Sequence, residues 1–173
     1  MLSIAFTVPF ERVEGFYSEA MIPLCKEDFD PAIFEGCLSN LDLVDRDIFR
    51  LYYIEHLSQA VIANIFNLSQ GDVSYRLKKR IINKFRTHYF RSKINLDEVY
   101  KVFEFNQFEK ELLKYFLLFR TQTVISDILG KSQPTLSKNL ASIKKRLRTY
   151  TGDCVCVEYL KILLSYDTST YAN

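Results

Sequence analysis

From Leu41 onward the apolar positions of the chain fall three or four residues apart: Leu41, Leu43 or Val44, Ile48, Leu51 or Tyr52, then Val61, Ile62, Ile65, Leu68, Val73, Leu77, Ile81 and Phe85. That is the period of a helix with one face against a core. It predicts three helices, over about 43 to 55, 58 to 66 and 70 to 90. The breaks carry start and stop signals. Ser58 suits an N-cap, whose side-chain oxygen accepts from a first-turn amide. Asn67 tolerates the left-handed conformation that ends a helix, and Ser69 caps the next one. The expected inward set of the last two helices is Val61, Ile62, Ile65, Leu68, Val73 and Leu77.

The same grammar returns downstream. Ser58 to Leu77 and Thr121 to Leu140 align without a gap at an offset of 63 residues, with eight of twenty positions identical: Gln59/Gln122, Val61/Val124, Ile62/Ile125, Ile65/Ile128, Ser69/Ser132, Gln70/Gln133, Ser74/Ser137 and Leu77/Leu140. Thr121 takes the place of the first cap, Gly130 of the left-handed stop and Ser132 of the second cap. Pro134 falls in the first turn, where its missing amide costs nothing. The inward set here is Val124, Ile125, Ile128, Leu136, Leu140, Ile143 and Leu147. A helix from about 107 to 119 precedes this unit, a connecting helix lies near 96 to 105, and the basic helix runs to Tyr150. Internal repetition decides architecture before any single element does. The expected fold is all-α, with two trihelical helix-turn-helix units in tandem.

Pro9, Gly15, Pro23, Pro31 and Gly36 cut the first forty residues into short pieces. Ser3 to Val8 reads as a strand; 11 to 21 and 30 to 38 read as short helices, with Pro31 suited to a first turn after Asp30. At the other end Cys154 to Tyr166 reads as a final helix, although Cys-Val-Cys-Val also suits the start of a strand. The expected organisation is an acidic N-terminal segment (1–40), a first helix-turn-helix unit (41–93), a second (94–152) and a C-terminal helix and tail (153–173). No Gly-rich or Ser-rich run separates them, so the two heads are expected to be held rigidly.

A net charge of +2 conceals an asymmetry. Residues 1–72 carry twelve Asp/Glu against four Lys/Arg, and residues 73–173 carry nine against nineteen. Val73 to Leu96 and Ile128 to Gly152 contain no carboxylate at all. Such stripes attract polyanions. The acidic first part is also a candidate to dock on a polymerase or another regulator, or to fold back on the basic half. Cys25, Cys37, Cys154 and Cys156 have no metal-site spacing with His56 or His88 and read as reduced, mostly packed thiols. There is no phosphate-binding Gly loop and no recognisable Ser/His/Asp arrangement, so neither an enzyme, a cofactor nor a metal is expected. Met1 to Phe10 lacks a basic start and no apolar run reaches membrane-span length, which gives a cytoplasmic expectation.

In a helix-turn-helix the second helix enters the major groove and the first braces it. Subtracting the inward positions leaves Gln70, Asp72, Ser74, Tyr75 and Lys78 outward on one recognition helix, and Gln133, Thr135, Ser137 and Lys138 on the other, as base-facing candidates. Arg76, Lys79, Arg80, Lys84 and Arg86, and Lys144, Lys145, Arg146 and Arg148, lie farther along, where phosphate contact is the default.

The stretch from Leu41 to Leu77, which begins Leu-Asp-Leu-Val-Asp-Arg and contains Leu57-Ser-Gln-Ala-Val-Ile-Ala and Leu68-Ser-Gln-Gly-Asp-Val-Ser-Tyr-Arg-Leu, resembles region four of bacterial sigma factors over about 37 residues. In that family a Leu-Pro-x-x-x-Arg-like helix, Leu-Ser-x-x-Glu-Ile-Ala, a Gly turn and Ile-Ser-x-Gly-Thr-Val-x-x-Arg-Leu build the domain that binds the promoter's upstream element and the polymerase flap. The resemblance implies a base-facing role for Gln70, Ser74 and Tyr75. This chain departs from the pattern in three places: Val61 stands where the family has Glu, Asn67 replaces the turn Gly, and Ile81 and Phe85 sit one position later than the usual apolar pair. Ser132-Gln-Pro-Thr-Leu-Ser-Lys-Asn-Leu is similar to the recognition-helix start of many bacterial regulators, LysR-type ones included. Nothing in the first forty residues resembles the sigma region that melts promoter DNA. The expectation is therefore a sigma-like or phage-like transcription regulator bound to double-stranded DNA, with RNA polymerase and a second copy of the chain as candidate protein partners.

Overall fold

The computed structural model describes residues 8–20, 22, 26–118 and 121–166, and among these every regular element is a helix. They are α1 (Phe10–Glu19), α2 (Pro31–Ser39), α3 (Leu43–Phe49), α4 (Gln59–Phe66), α5 (Gln70–Tyr75), α6 (Ile82–Lys93), α7 (Leu96–Val102), α8 (Gln107–Leu118), α9 (Gln122–Leu129), α10 (Gln133–Arg148) and α11 (Val155–Tyr166). A 3-10 turn covers Lys26–Asp28, and two π segments, Arg50–Ile54 and Arg76–Ile81, continue α3 and α5. Of the strand expected at Ser3 to Val8, all but Val8 lies outside the described residues, and Val8 itself is irregular. The segment after Cys154 is a helix, not a strand.

Local chemistry sets the boundaries. Ser58 accepts from the Val61 amide at the start of α4, and Asn67 closes that helix at φ 53°. Ser69 and Asp72 form a reciprocal capping box on α5. Thr121 and Ser132 cap α9 and α10, with Gly130 between them at φ 60°. Asp30 accepts from the Ala32 amide with Pro31 in the first turn of α2. Each cap satisfies an amide that the first turn leaves without a partner.

The chain divides into two compact units, residues 1–89 and 90–173, with the boundary inside α6. An aromatic cluster centres the first. Phe16 of α1 meets Phe49 and Phe85 edge-on, each at 4.7 Å between ring centroids, and Phe34 of α2 lies 5.6 Å from Phe85. The N-terminal helices thus share one core with α3 and α6. The second unit buries Leu112, Leu113 and Phe116 of α8, Ile125 of α9, Leu136, Leu140, Ile143 and Leu147 of α10, and Val157, Leu160, Leu163 and Leu164 of α11.

The π segments explain how far the two units correspond. Leu41 and Phe105, Ile48 and Leu112, and Phe49 and Leu113 are buried pairs 64 residues apart. From Tyr53/Phe116 through Ile62/Ile125 and Val73/Leu136 to Leu77/Leu140 the buried pairs are 63 apart, and Ile81/Ile143 and Phe85/Leu147 are 62 apart. Each step falls inside a π segment of the first unit: Phe49 to Tyr53 spans four residues where Leu113 to Phe116 spans three, and Leu77 to Ile81 spans four where Leu140 to Ile143 spans three. A π turn takes up one extra residue without rotating the downstream side chains out of the core. This is why Ile81 and Phe85 sit one position late and are still fully buried.

Four expected core positions are outside. Val61 and Ile65 are 45% and 56% exposed, and Val124 and Ile128 are 42% and 45% exposed. α4 and α9 are eight residues long, and each buries a narrow stripe: Ile62 and Ala63 in α4, Ile125 in α9. Residues 61 and 65, and 124 and 128, are one turn apart on an adjoining stripe that the neighbouring helices leave uncovered. Leu68 is half-buried.

Candidate nucleic-acid interface

In the first unit α5 presents Gln70, Tyr75 and, at the start of the π segment's outward face, Lys78; all are exposed, Tyr75 at 65%, while Ser74 is half-buried. Among the described residues Gln70, Ser74 and Tyr75 make no side-chain hydrogen bond, so their polar groups are available to a ligand. Asp72 is partly engaged. Its carboxylate accepts from the Ser69 hydroxyl at 2.7 Å and the Ser69 amide at 3.2 Å, and these two bonds hold its pKa below the ordinary carboxylate value. Asp72 closes the helix start through one carboxylate oxygen, on an exposed side chain.

In the second unit Gln133, Thr135, Ser137 and Lys138 are all exposed. Here the polar groups are tied back. The Gln133 amide donates to Thr123 at 3.0 Å, the Ser137 hydroxyl donates to Gln122 at 2.9 Å, and Thr135 and Ser132 share a hydrogen bond at 2.9 Å. α9 therefore orients the side chains that α10 offers.

The basic residues separate into two kinds. Arg76 donates to Asp45 at 2.7 Å, Arg80 pairs with Asp45 at 2.7 Å and also with Asp42, and Lys84 reaches Asp42 at 3.1 Å and Asp45 at 3.5 Å. Asp45 is fully buried, whereas the Asp42 side chain is 40% exposed. Burial works to raise the Asp42 pKa. The Asp45 amide, which donates to its Oδ1 at 2.9 Å, and the Lys84 ammonium outweigh that and hold it far below the ordinary range. Lys78, Lys79, Lys138, Lys145 and Arg148 are exposed and enter no ion pair among the described residues. Lys144 is half-buried. Arg86, expected at a phosphate, is 7% exposed; its guanidinium is packed within the fold and is not presented to one.

The second unit carries the same brace in a different register. Asn106 and Glu109 cap α8 reciprocally, the Glu109 amide donating to Asn106 at 2.9 Å and the Asn106 amide to Glu109 at 3.0 Å. The other Glu109 oxygen accepts from Arg146, whose guanidinium also lies 4.8 Å over the Phe105 ring and donates to the Glu104 carbonyl at 3.2 Å. Asp42, Asp45 and Lys84 thus correspond to Asn106, Glu109 and Arg146. Glu109 faces Arg146, so this cation, like Arg80 and Lys84, already has an internal carboxylate partner. Sequence reasoning passed over Asp42 and Asp45; the spacing Asn106-x-x-Glu109, a capping-box signature, was the available signal.

Cys37 is buried, and burial pushes its thiol up to about 12. Cys154 and Cys156 are free thiols, and Cys25 lies outside the described residues. Among the described residues no helix is long and apolar enough to cross a membrane.

Residues 32–79 match the family model described as Sigma-70, region 4. The match takes in all but the first residue of α2, then α3, the first π segment, α4, α5 and most of the second π segment, and so includes Asp42, Asp45 and the whole recognition-helix start. This segment is a helix-turn-helix of the kind found in transcription-related DNA-binding proteins. No curated protein and no solved structure matches the chain.

Proposed function

We propose that this protein is a sequence-specific, double-stranded DNA-binding regulator of transcription, with a recognition helix in each unit. One observation carries the reading: within the segment that matches sigma-70 region 4, a capped and braced helix offers Gln70, Ser74 and Tyr75 unengaged, backed by the exposed Lys78 and Lys79. A major groove accepts a helix, and Gln with adenine, Lys with guanine and Tyr carbon with the thymine methyl are apt base contacts. Exposed lysines without internal partners supply phosphate contacts and the sequence-independent part of the affinity. The second unit supports a second reading head through Gln133, Ser137 and Lys138, with Lys145 and Arg148 as exposed cations that enter no ion pair among the described residues. The proposed organisation is two heads on one chain.

Binding of the full chain to duplex DNA over a salt series tests this reading. Affinity falls linearly in log–log form, by about 0.9 per phosphate contacted. Flat or absent duplex binding at low salt overturns it. Selection of bound duplexes from a random pool then reports the number of heads from the length of the recovered site.

A second reading, docking to RNA polymerase, draws on the exposed Val61 and Ile65, apolar where the resembling family carries Glu at the first of the two. An uncovered apolar pair on a short helix suits a protein partner. Anisotropy of the labelled chain titrated with purified polymerase tests it: V61D/I65D abolishes the association if the pair is the contact, and leaves it unchanged if it is not.

A further inference from the structure

We infer that Asp42 is a specificity determinant: an internal carboxylate that competes with the DNA backbone for Arg80 and Lys84 and so lowers sequence-independent affinity. The inference rests on the DNA-binding reading above. Asp42 holds both cations at once, pairing with Arg80 and lying 3.1 Å from Lys84. Both belong to the continuation of the recognition helix, where cations meet phosphate by default. The contact is open to exchange because the side chains of Asp42, Arg80 and Lys84 are 40%, 41% and 36% exposed. Water-accessible ion pairs of this kind contribute little to folding. Asp45 is a different case: fully buried, it engages Arg76, the Arg80 Nε and, at 3.5 Å, Lys84, while Asp42 engages the Arg80 Nη2 and the Lys84 ammonium.

Asp42 occupies the position at which the resembling motif has Pro, so helix formation there does not require a carboxylate. Its Oδ1 caps α3 through the Asp45 amide, a task that Asn or Ser performs as well. Its Oδ2 does something capping does not need: it places a negative charge among the cations of the recognition helix. A phosphate approaching Arg80 or Lys84 must displace that charge or sit beside it. The base-facing Gln70 and Tyr75 carry no such competitor, so the carboxylate subtracts from backbone affinity and leaves base reading untouched.

The test is D42N in the full chain, binding a mixed random-sequence duplex over about 50 to 200 mM salt. Asn keeps the cap and removes the charge. D42N is expected to bind the mixed duplex more tightly at low salt and to gain one or two phosphate contacts. The affinity lost across that salt range then grows by about 3- to 12-fold relative to the parent chain. A slope equal to or shallower than the parent's, in a variant with the parent's helical circular dichroism, overturns the inference and leaves the DNA-binding reading standing. Failure of the parent chain to bind duplex removes the reading itself. D42S supplies a second capping variant, and loss of the fold in both D42N and D42S assigns Asp42 a purely structural role and overturns the inference.

Discussion

Arg76 donates to the fully buried carboxylate of Asp45 at 2.7 Å, and through that bond the recognition helix of the first unit is fixed to α3. Arg80 reaches the same carboxylate from the next turn at 2.7 Å. Removing the acid leaves Arg76 without its carboxylate and Arg80 and Lys84 with Asp42 alone as counter-charge. Breaking a buried pair typically costs about 3 to 5 kcal/mol. Because the three cations retain access to water, D45A is expected near the lower end, about 3 kcal/mol. R76A leaves Asp45 with Arg80 and Lys84 and is expected to lose only the charged hydrogen bond, about 1.5 kcal/mol. Urea denaturation measures both. Equal losses would mean that Asp45 is stabilised by Arg76 alone.

Tyr75 and Lys79 are close neighbours with different expected roles. Tyr75 is 65% exposed on the first turns of the recognition helix, and Lys79 is an exposed cation with no internal ion pair among the described residues. Y75A is expected to relax sequence preference while the salt slope stays as it is. K79A should weaken all duplexes alike and reduce the slope by about 0.9. Competition binding with a selected site and a scrambled one separates the two outcomes. Loss of preference in K79A, or of slope in Y75A, would exchange the assignments.

Elements fixed by contacts within one turn of chain could be read directly. Ser58, Ser69, Thr121 and Ser132 cap the helices that their positions imply, and Asn67 and Gly130 adopt the left-handed backbone that the turn needs. Contacts between residues far apart in sequence could not. Arg76, Arg80 and Arg146 carry the same charge as Lys79 and Lys145, and only their distance from Asp42, Asp45 or Glu109, which lie 31 to 38 residues earlier, separates a brace from a free cation. A gapless repeat from Ser58 to Leu77 fell short of the full correspondence because a π turn on either side shifts the register by one residue. The late position of Ile81 and Phe85 was its trace in the sequence. Val61 and Ile65 misled for a different reason: an eight-residue helix buries one stripe, and periodicity alone did not say which.

Asp42 also makes stability depend on pH. Its pKa in the folded chain is held below the ordinary value of 3.8, first against the burial that would raise it, by the Asp45 amide and the Lys84 ammonium. The unfolded chain therefore takes up a proton before the folded one does. The stabilisation is complete above about pH 4 to 5 and is lost as the pH falls through and below the ordinary carboxylate range. Asp72, held low by Ser69, shifts in the same sense. Because the Asp42 side chain is 40% exposed and its ion pairs are screened by water, urea midpoints of the parent chain should drop modestly more steeply from pH 5 to pH 3 than those of D42N, which lacks the titrating group. Parallel curves would remove Asp42 as a source of acid sensitivity.

The second π segment makes a prediction that a regular helix would not. From Leu77 to Ile81 the chain spends one residue more than α10 does from Leu140 to Ile143, yet all four side chains are buried. Deleting the exposed Lys79 lets the segment relax to the α pattern, with Phe85 still directed at Phe16 and Phe34 and Ile81 still buried. The same deletion in α10, at the exposed Ser142, has no extra residue to absorb it. It rotates Ile143 and Leu147 by about 100° away from the core. Deletion of Lys79 is therefore expected to leave a cooperative thermal transition within several degrees of the parent's, and deletion of Ser142 to abolish native packing in the second unit. Circular dichroism melts with hydrogen exchange of the two units read this out. Loss of the first unit's cooperative transition on deletion of Lys79 would mean that the π turn is required by its neighbours and is not an absorbed insertion.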